Sequence, residues 1–398
     1  MKVLIAGGGI GGLTTALCCL HHGLDPHIIE RAPAISDVGA GIQIPPNAMR
    51  IFGALGMTDR IMRDSFAPDA IEARMGRSGR HLFRIPLQDY AQDRWGAPYL
   101  HIHRADYVRA LADALLERAP NALRLGISVQ SHIQSANGVT LQCDNGERVL
   151  GDALIGADGI HSAVRTQMLG PDTPCFTGNV AWRAIAPIHA LGEFAPPPTA
   201  CLWMGPNRHA VTYRLRRGEL ANLVAVVERD DWQGESWSTE GDKADAIADF
   251  AGWDPMIMRI LEESDTLYRW ALFDRDPFPR WTDGSVALLG DAAHPMLPFM
   301  AQGAAMAVED GWAVATELAT TPDNVPAALT RYQNRRFARA SRVQAGSRAN
   351  ARTFHKSSRP SQLLTYGPMW LAGRILPKAI HARQDWLYSH DETAITQG

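Results

Sequence analysis

Two hydrophobic rhythms alternate along the chain. Lys2 to Ala6 is a short apolar run that suits a buried strand, and Leu13, Ala16, Leu17 and Leu20 then recur at helical spacing up to Gly23. A second run, His27 to Ile29, ends on Glu30, so the opening segment predicts strand, helix and strand. The strand-to-helix rhythm returns twice. Ala153 to Arg165 predicts a strand that turns at Asp158-Gly159 into a helix capped by Ser162. Val286 to Leu289 predicts a strand that turns at Gly290-Asp291, passes Pro295 and Pro298, and meets a small-residue helix from Gln302 to about Ala319.

The intervening segments predict other shapes. Asn47 is placed to cap a helix over Ala48 to Leu55, and Asp106 to cap one over Tyr107 to Arg118. Glu72 to Arg84 alternates as one or two strands, and Leu123 to Leu150 as a β meander with a turn at Asn137-Gly138. From Asn179 to Asp274 strand-like runs follow one another, with one helical piece at Lys243 to Ala251, which predicts an inserted antiparallel sheet. A long helix begins at Ala327 and carries Arg331, Arg335, Arg336, Arg339 and Arg342. The fold class is α/β: a Rossmann-like nucleotide-binding domain interleaved with an antiparallel β-sheet domain, plus C-terminal helices. No internal repeat is visible.

Composition narrows the picture. The 398 residues are 46% hydrophobic and 20% charged, ordinary for a globular protein with room for two domains. A net charge of -3 gives no reason to expect nucleic acid or an anionic membrane as partner, so the arginine-rich helix reads as a solvated face. The 5 cysteines are odd in number and lack metal-ligand spacing, consistent with reduced thiols. The first strand leaves no room for a signal peptide and no run reaches membrane length, so a cytoplasmic location is expected.

The chemistry begins with the glycines. Gly7, Gly9 and Gly12 form G-x-G-x-x-G between strand and helix, where they serve a tight turn, backbone approach to a pyrophosphate, and helix packing; Glu30 can accept from a ribose hydroxyl. Gly39 and Gly41 permit close backbone approach to a ligand in a later loop, and Arg104 precedes a helix, where it binds a phosphate or pairs with a surface acid. Asp158 is a cofactor ligand or a turn residue. Gly303 sits at a helix N-terminus, whose free N–H groups favour an electron-rich ligand edge.

G-G-G-I-G-G at Gly7 to Gly12, G-A-D-G at Gly156 to Gly159 and G-D-A-A-H-P at Gly290 to Pro295, in that order, closely resemble the class A FAD-dependent aromatic monooxygenases with the p-hydroxybenzoate hydroxylase fold. G-A-G-I-Q-I-P-P-N, H-I-H-R-A-D and H-A-V-T-Y-R-L-R-R-G-E resemble the salicylate hydroxylase and 3-hydroxybenzoate 6-hydroxylase branch. The resemblance implies an FAD domain at 1–72, 99–171 and 283–330, a substrate sheet at 73–98 and 172–282, and a helical segment at 331–398. It implies that Gly7, Gly9, Gly12, Glu30 and Arg31 hold the ADP half of FAD, that Arg104 and Asp291 reach its pyrophosphate or ribityl chain, and that Asp158 belongs to a segment serving both FAD and the nicotinamide nucleotide. Gly41, Pro298, Gly303 and Ala304 would then lie around the isoalloxazine. NADH or NADPH would be a transient co-substrate, with O2 and a small aromatic acid as the others, and hydroxylation would run through a C4a-hydroperoxyflavin. For catalysis it points to His209 as base, Tyr213 to hold or polarise the substrate, and Gln302 to face the ring's substituent, with His294 supporting the cofactor loop. No metal is implied, and the protein is expected to be a monomer or homodimer. Where relatives usually read Y-P-L-R this chain has Tyr213-Arg214-Leu215-Arg216, which leaves the geometry of that strand open. A nicotinamide dehydrogenase, or a flavin-binding protein without activity, remains the alternative from another class.

Overall fold

A computed structural model describes residues 1–35, 40–229 and 239–395. A six-stranded sheet runs in the order Thr282–Asp283, Val286–Leu288, Ala153–Gly156, Lys2–Ala6, Asp25–Ile29 and Leu123–Arg124, parallel except at its first pair. Its central strands are apolar throughout because both faces are covered, one by the helix Ile10–His21 and the other by the strand Arg148–Gly151 and its neighbours, and Val3, Leu4, Ile5, Leu154 and Ile155 are fully buried. Their C-terminal ends lie side by side: Ala6 pairs with both Ile29 and Gly156, and Gly156 with Leu288. The loops starting at Gly7, Glu30, Ala157 and Leu289 therefore open along one sheet edge, the place where α/β folds bind ligands.

The predicted meander forms a separate three-stranded sheet. The inserted region builds a seven-stranded sheet, ordered Leu267–Asp274, Cys175–Pro187, Leu220–Glu228, Arg208–Leu215, Ala200–Gly205, Ala70–Met75 and His81–Pro86. One of its faces packs Trp182, Trp203 and Leu223 against the helices Lys243–Asp249 and Pro255–Glu263. The second of those helices was not anticipated, although Asp254 caps it, accepting from the Met256 N–H at 3.1 Å, and Pro255 occupies its first position. By strand alternation the other face presents His209, Val211 and Tyr213, with Arg183 and Ile185 beside them. Arg214 does not disturb its strand. It points to the opposite face from Tyr213 and donates to the Pro196 carbonyl at 2.9 and 2.6 Å.

Three expectations need correction. Asn47 does not cap a helix, because the helix spans Pro46–Ala54 and the buried Asn47 amide donates to Gln302 Oε1 at 3.1 Å and Glu309 Oε1 at 2.7 Å. Asp106 lies inside the first turn of the helix Arg104–Arg118 and pairs with Arg216 at 2.9 Å. The arginine helix, Val325–Phe354, is not a solvated face at its centre. Arg336 is fully buried among Glu309, Asp310 and Glu392 at 2.7 to 2.8 Å, and Arg339 pairs with Glu309 at 2.7 Å. Periodicity shows where a charge lies on a helix, but not that a carboxylate-bearing helix packs against it. No described helix is long and apolar enough to cross a membrane.

Candidate active site

Between the two sheets lies a cavity of about 1750 Å³, running from the glycine loop to the open face of the seven-stranded sheet. Gly9, Arg31, Gly41, Arg104, Asp158, Asp291, Pro298, Gly303 and Ala304 line it, as do His209 and Tyr213. Thus one wall gathers residues from segments that are far apart in sequence. Gly39 lies outside the described residues.

Each glycine of the first loop meets a different constraint. Gly7 has φ +105° and a Cβ there would stand 2.4 Å from the Ala157 carbonyl oxygen; a Cβ on Gly12 would stand 1.9 Å from that of Gly7. Both are needed by packing alone. Gly9 has nothing within 4 Å of its hypothetical Cβ, so its freedom faces the cavity, where a pyrophosphate needs bare backbone. Glu30 is not on the cavity wall. Its carboxylate accepts from the Gly8 N–H at 2.5 Å and the Ala32 N–H at 2.8 Å, which fixes the loop's shape.

The Gly290-Asp291 loop is held from behind. Asp310 accepts from the Gly290 N–H at 3.1 Å and from the buried His294 ring at 2.5 Å, while Arg336 donates to its other oxygen at 2.8 Å. Burial works against the Asp310 charge, yet His294 and Arg336 hold its pKa below the usual range. Asp291 itself projects into the cavity, with its pKa raised by burial and opposed by His294 and Arg104. Asp158 serves its own turn: Oδ2 accepts from the Ala163 and Val164 N–H groups at 2.8 and 3.3 Å, while Oδ1 is buried with no hydrogen-bond partner among the described residues. Beyond these loops the 18-residue helix Gly303–Thr320 aims its N-terminus at the cavity, with no acid in its first turn and no side-chain cap. Its free N–H groups offer positive potential to a flat, electron-rich edge. Open backbone at Gly9, an acid midway and a helix end beyond fit the successive parts of a flavin dinucleotide.

Gln302 is not where it was expected. Its side chain is buried behind the helix start, accepting from Asn47, and does not line the cavity. Tyr213 does line it, packed on the His101 ring at 4.7 Å and so close to Gly41 that a Cβ there would be 2.4 Å from its ring. Gly41 is thus constrained by Tyr213, and its N–H donates to Asn222 at 2.9 Å. His209 is 2% exposed; burial and then the neighbouring His355 push its pKa well below the ordinary value, so the ring is neutral at pH 7. Sequence reasoning missed Arg183. Its guanidinium lies 4.1 Å over the Trp270 ring on the cavity wall, burial lowers its pKa to about 10, and it makes no ion pair among the described residues. The available signal was a lone arginine on the inward-facing side of an otherwise apolar strand.

Comparison with known proteins decides the family. Residues 1–347 match the FAD binding domain family. A 3-amino-4-hydroxybenzoate 2-monooxygenase of Streptomyces platensis is 35% identical over 394 residues, 99% of this chain and 97% of that one. The chain is a class A flavin monooxygenase. This monooxygenase is also 36% identical to a 3-hydroxybenzoate 6-hydroxylase of Polaromonas naphthalenivorans, over 98% of this chain and 96% of that one. The crystal structure of Klebsiella pneumoniae HpxO complexed with FAD and uric acid superposes with a TM-score of 0.86 at 27% identity, covering 98% and 97% of the two chains. FAD is therefore the cofactor of the monooxygenase, and a small aromatic molecule is its substrate.

Proposed function

We propose that the monooxygenase hydroxylates a small hydroxylated aromatic acid of the salicylate or 3-hydroxybenzoate type, with NADH or NADPH as reductant. The observation that carries this is the presence, on one cavity-facing sheet surface, of a neutral buried imidazole and an arginine with no ion-pair partner among the described residues. Arg183 stands opposite Val224, which stands opposite Val211; His209 is two residues further along that strand. Strand spacing and rise put the two backbone positions about 12 Å apart, a gap that one ring bridges when both side chains lean inward. Arg183 receives the carboxylate in a bidentate pair, Tyr213 orients the ring, and His209 takes the phenolic proton. Bound FAD supplies the O2 activation that no side chain can provide. The apolar wall of Val211, Val224, Val226 and Trp270 keeps water from the reacting atoms.

The FAD site at 1–72, 99–171 and 283–330, and the substrate sheet at 73–98 and 172–282, belong to the same reading, as do a monomeric or homodimeric cytoplasmic enzyme and the absence of a nucleic-acid partner. The uric acid in the HpxO complex supports a second reading, a heteroaromatic substrate. The test is NADH and NADPH oxidation in air with salicylate, 3-hydroxybenzoate or a hydroxylated heteroaromatic, with products identified by mass. A stimulated rate with a product one oxygen heavier, or catechol from salicylate, supports the first reading. Stimulation by the heteroaromatic alone overturns it. His209→Ala is expected to retain FAD and lose hydroxylation.

A further inference from the structure

His209 is 2% exposed, and away from the cavity its ring has no direct path to bulk water. Its ring is boxed by Phe299 at 4.8 Å, Phe354 at 5.3 Å and His355 at 4.9 Å between centroids, and it faces outward only into the cavity. Behind it a chain of polar contacts leads away. His209 Nδ1 lies 2.6 Å from His355 Nε2, and His355 Nδ1 lies 2.9 Å from Glu228 Oε1. The His355 side chain is 2% exposed and that of Glu228 is 47% exposed, so the series runs from the cavity wall to solvent on the far side of the strand.

Resting on the assignment of His209 as base, we infer that His209, His355 and Glu228 form a proton relay that carries the substrate's phenolic proton to bulk water. The donor pattern follows from the end that is fixed. An ionised Glu228 only accepts, so His355 Nδ1 carries the proton; a neutral His355 then accepts at Nε2, so His209 donates from Nδ1. This leaves His209 Nε2 bare toward the cavity, the state a base must have. In the step, the phenol O–H bond breaks as N–H forms at His209 Nε2. The Nδ1 proton of His209 passes to His355 Nε2, the Nδ1 proton of His355 passes to Glu228, and Glu228 releases it to water. One proton enters and one leaves, with no net redox change. Arg208 is the other charge acting on His355, and it lowers that ring's affinity for a resident proton.

The relay is tested by mixing oxidised, FAD-loaded enzyme with 3-hydroxybenzoate in weak buffer and following phenolate absorbance and proton release by an indicator dye. Wild type releases a proton rapidly. Glu228→Gln preserves an oxygen for His355 but takes no proton at neutral pH, and His355→Asn interrupts the series. Both are expected to retain FAD and to slow release by about 10²-fold, the lower range for positioned proton transfer. Glu228→Asp should recover most of the rate, whereas a merely structural contact predicts that Gln serves as well as Glu. If His209→Gln abolishes release while the His355 and Glu228 variants keep the wild-type rate, the base stands and the relay falls. A wild type that releases no proton, or a His209→Gln variant that still does, overturns both.

Discussion

Replacing Arg336 with methionine isolates the interaction that supports the cofactor loop. The guanidinium is fully buried, with Nε 2.8 Å from Asp310 Oδ1 and Nη1 2.7 Å from Glu309 and 2.8 Å from Glu392. Burial alone would neutralise these acids, but Arg336 and Arg339 hold Glu309 down to about 2. Methionine fills much of the volume while leaving the carboxylates undercompensated, a change that costs about 3–5 kcal/mol when one partner of a buried ion pair is lost. At a few degrees per kcal/mol this lowers the thermal midpoint by about 10 °C. Because Asp310 also holds the Gly290 N–H, FAD content should fall with stability. The penalty depends on pH in a definite sense. Glu309 has a folded pKa below its ordinary 4.5, so its stabilisation is complete above about 4.5 and is lost as pH falls toward 2. The gap between wild type and Arg336→Met should therefore narrow below pH 4.5. Thermal scans of both proteins across pH, with flavin absorbance per chain, provide the assay. A midpoint shift under about 2 °C at pH 7 with full flavin content would refute the reasoning.

Other outcomes follow from single contacts. Gly9→Ala should fold normally, since nothing lies within 4 Å of the new Cβ, but bind FAD at least about tenfold more weakly; Gly12→Ala should fail to fold, as its Cβ falls 1.9 Å from a carbonyl oxygen. Fluorescence titration with FAD and circular dichroism separate the two cases, and equal behaviour contradicts the division of roles. Arg183→Met should weaken binding of the carboxylate substrate by about 10- to 100-fold, the worth of a charged hydrogen bond, while binding of a ring lacking the carboxylate is unchanged. Asp291→Asn should weaken FAD retention by a similar factor, read from the dissociation constant of the reconstituted protein.

The parts of the fold that were legible in the sequence rest on local chemistry. Strand, glycine loop and helix from Lys2 to His21 are written in adjacent residues, and so is the turn that Ser162 caps by accepting from the Arg165 N–H at 2.8 Å. What escaped depends on contacts between distant segments. Asn47 looked like a cap because caps are local, yet its amide partners stand 255 and 262 positions away. Arg336 looked solvated because its acids come from a neighbouring helix and the far C-terminus. Gln302 carries the motif of its family, but the direction of its side chain is set by Asn47. His355 follows the last residue of a long helix and had no pattern to mark it; the approach of the strands carrying His209 and Glu228 gives it its partners.

The side-by-side strand ends of the six-stranded sheet set a timetable for biosynthesis. Ala6, Ile29 and Gly156 emerge from the ribosome well before Leu288, and the strand carrying Leu288 is the one that brings Gly290-Asp291 to the shared edge. Until then the early strands lack their neighbour and cannot close around a ligand, so flavin capture waits until about three quarters of the chain has been made. Nascent chains arrested before that point should be colourless, and no N-terminal fragment ending short of the last parallel strand will serve as a separable cofactor-binding unit.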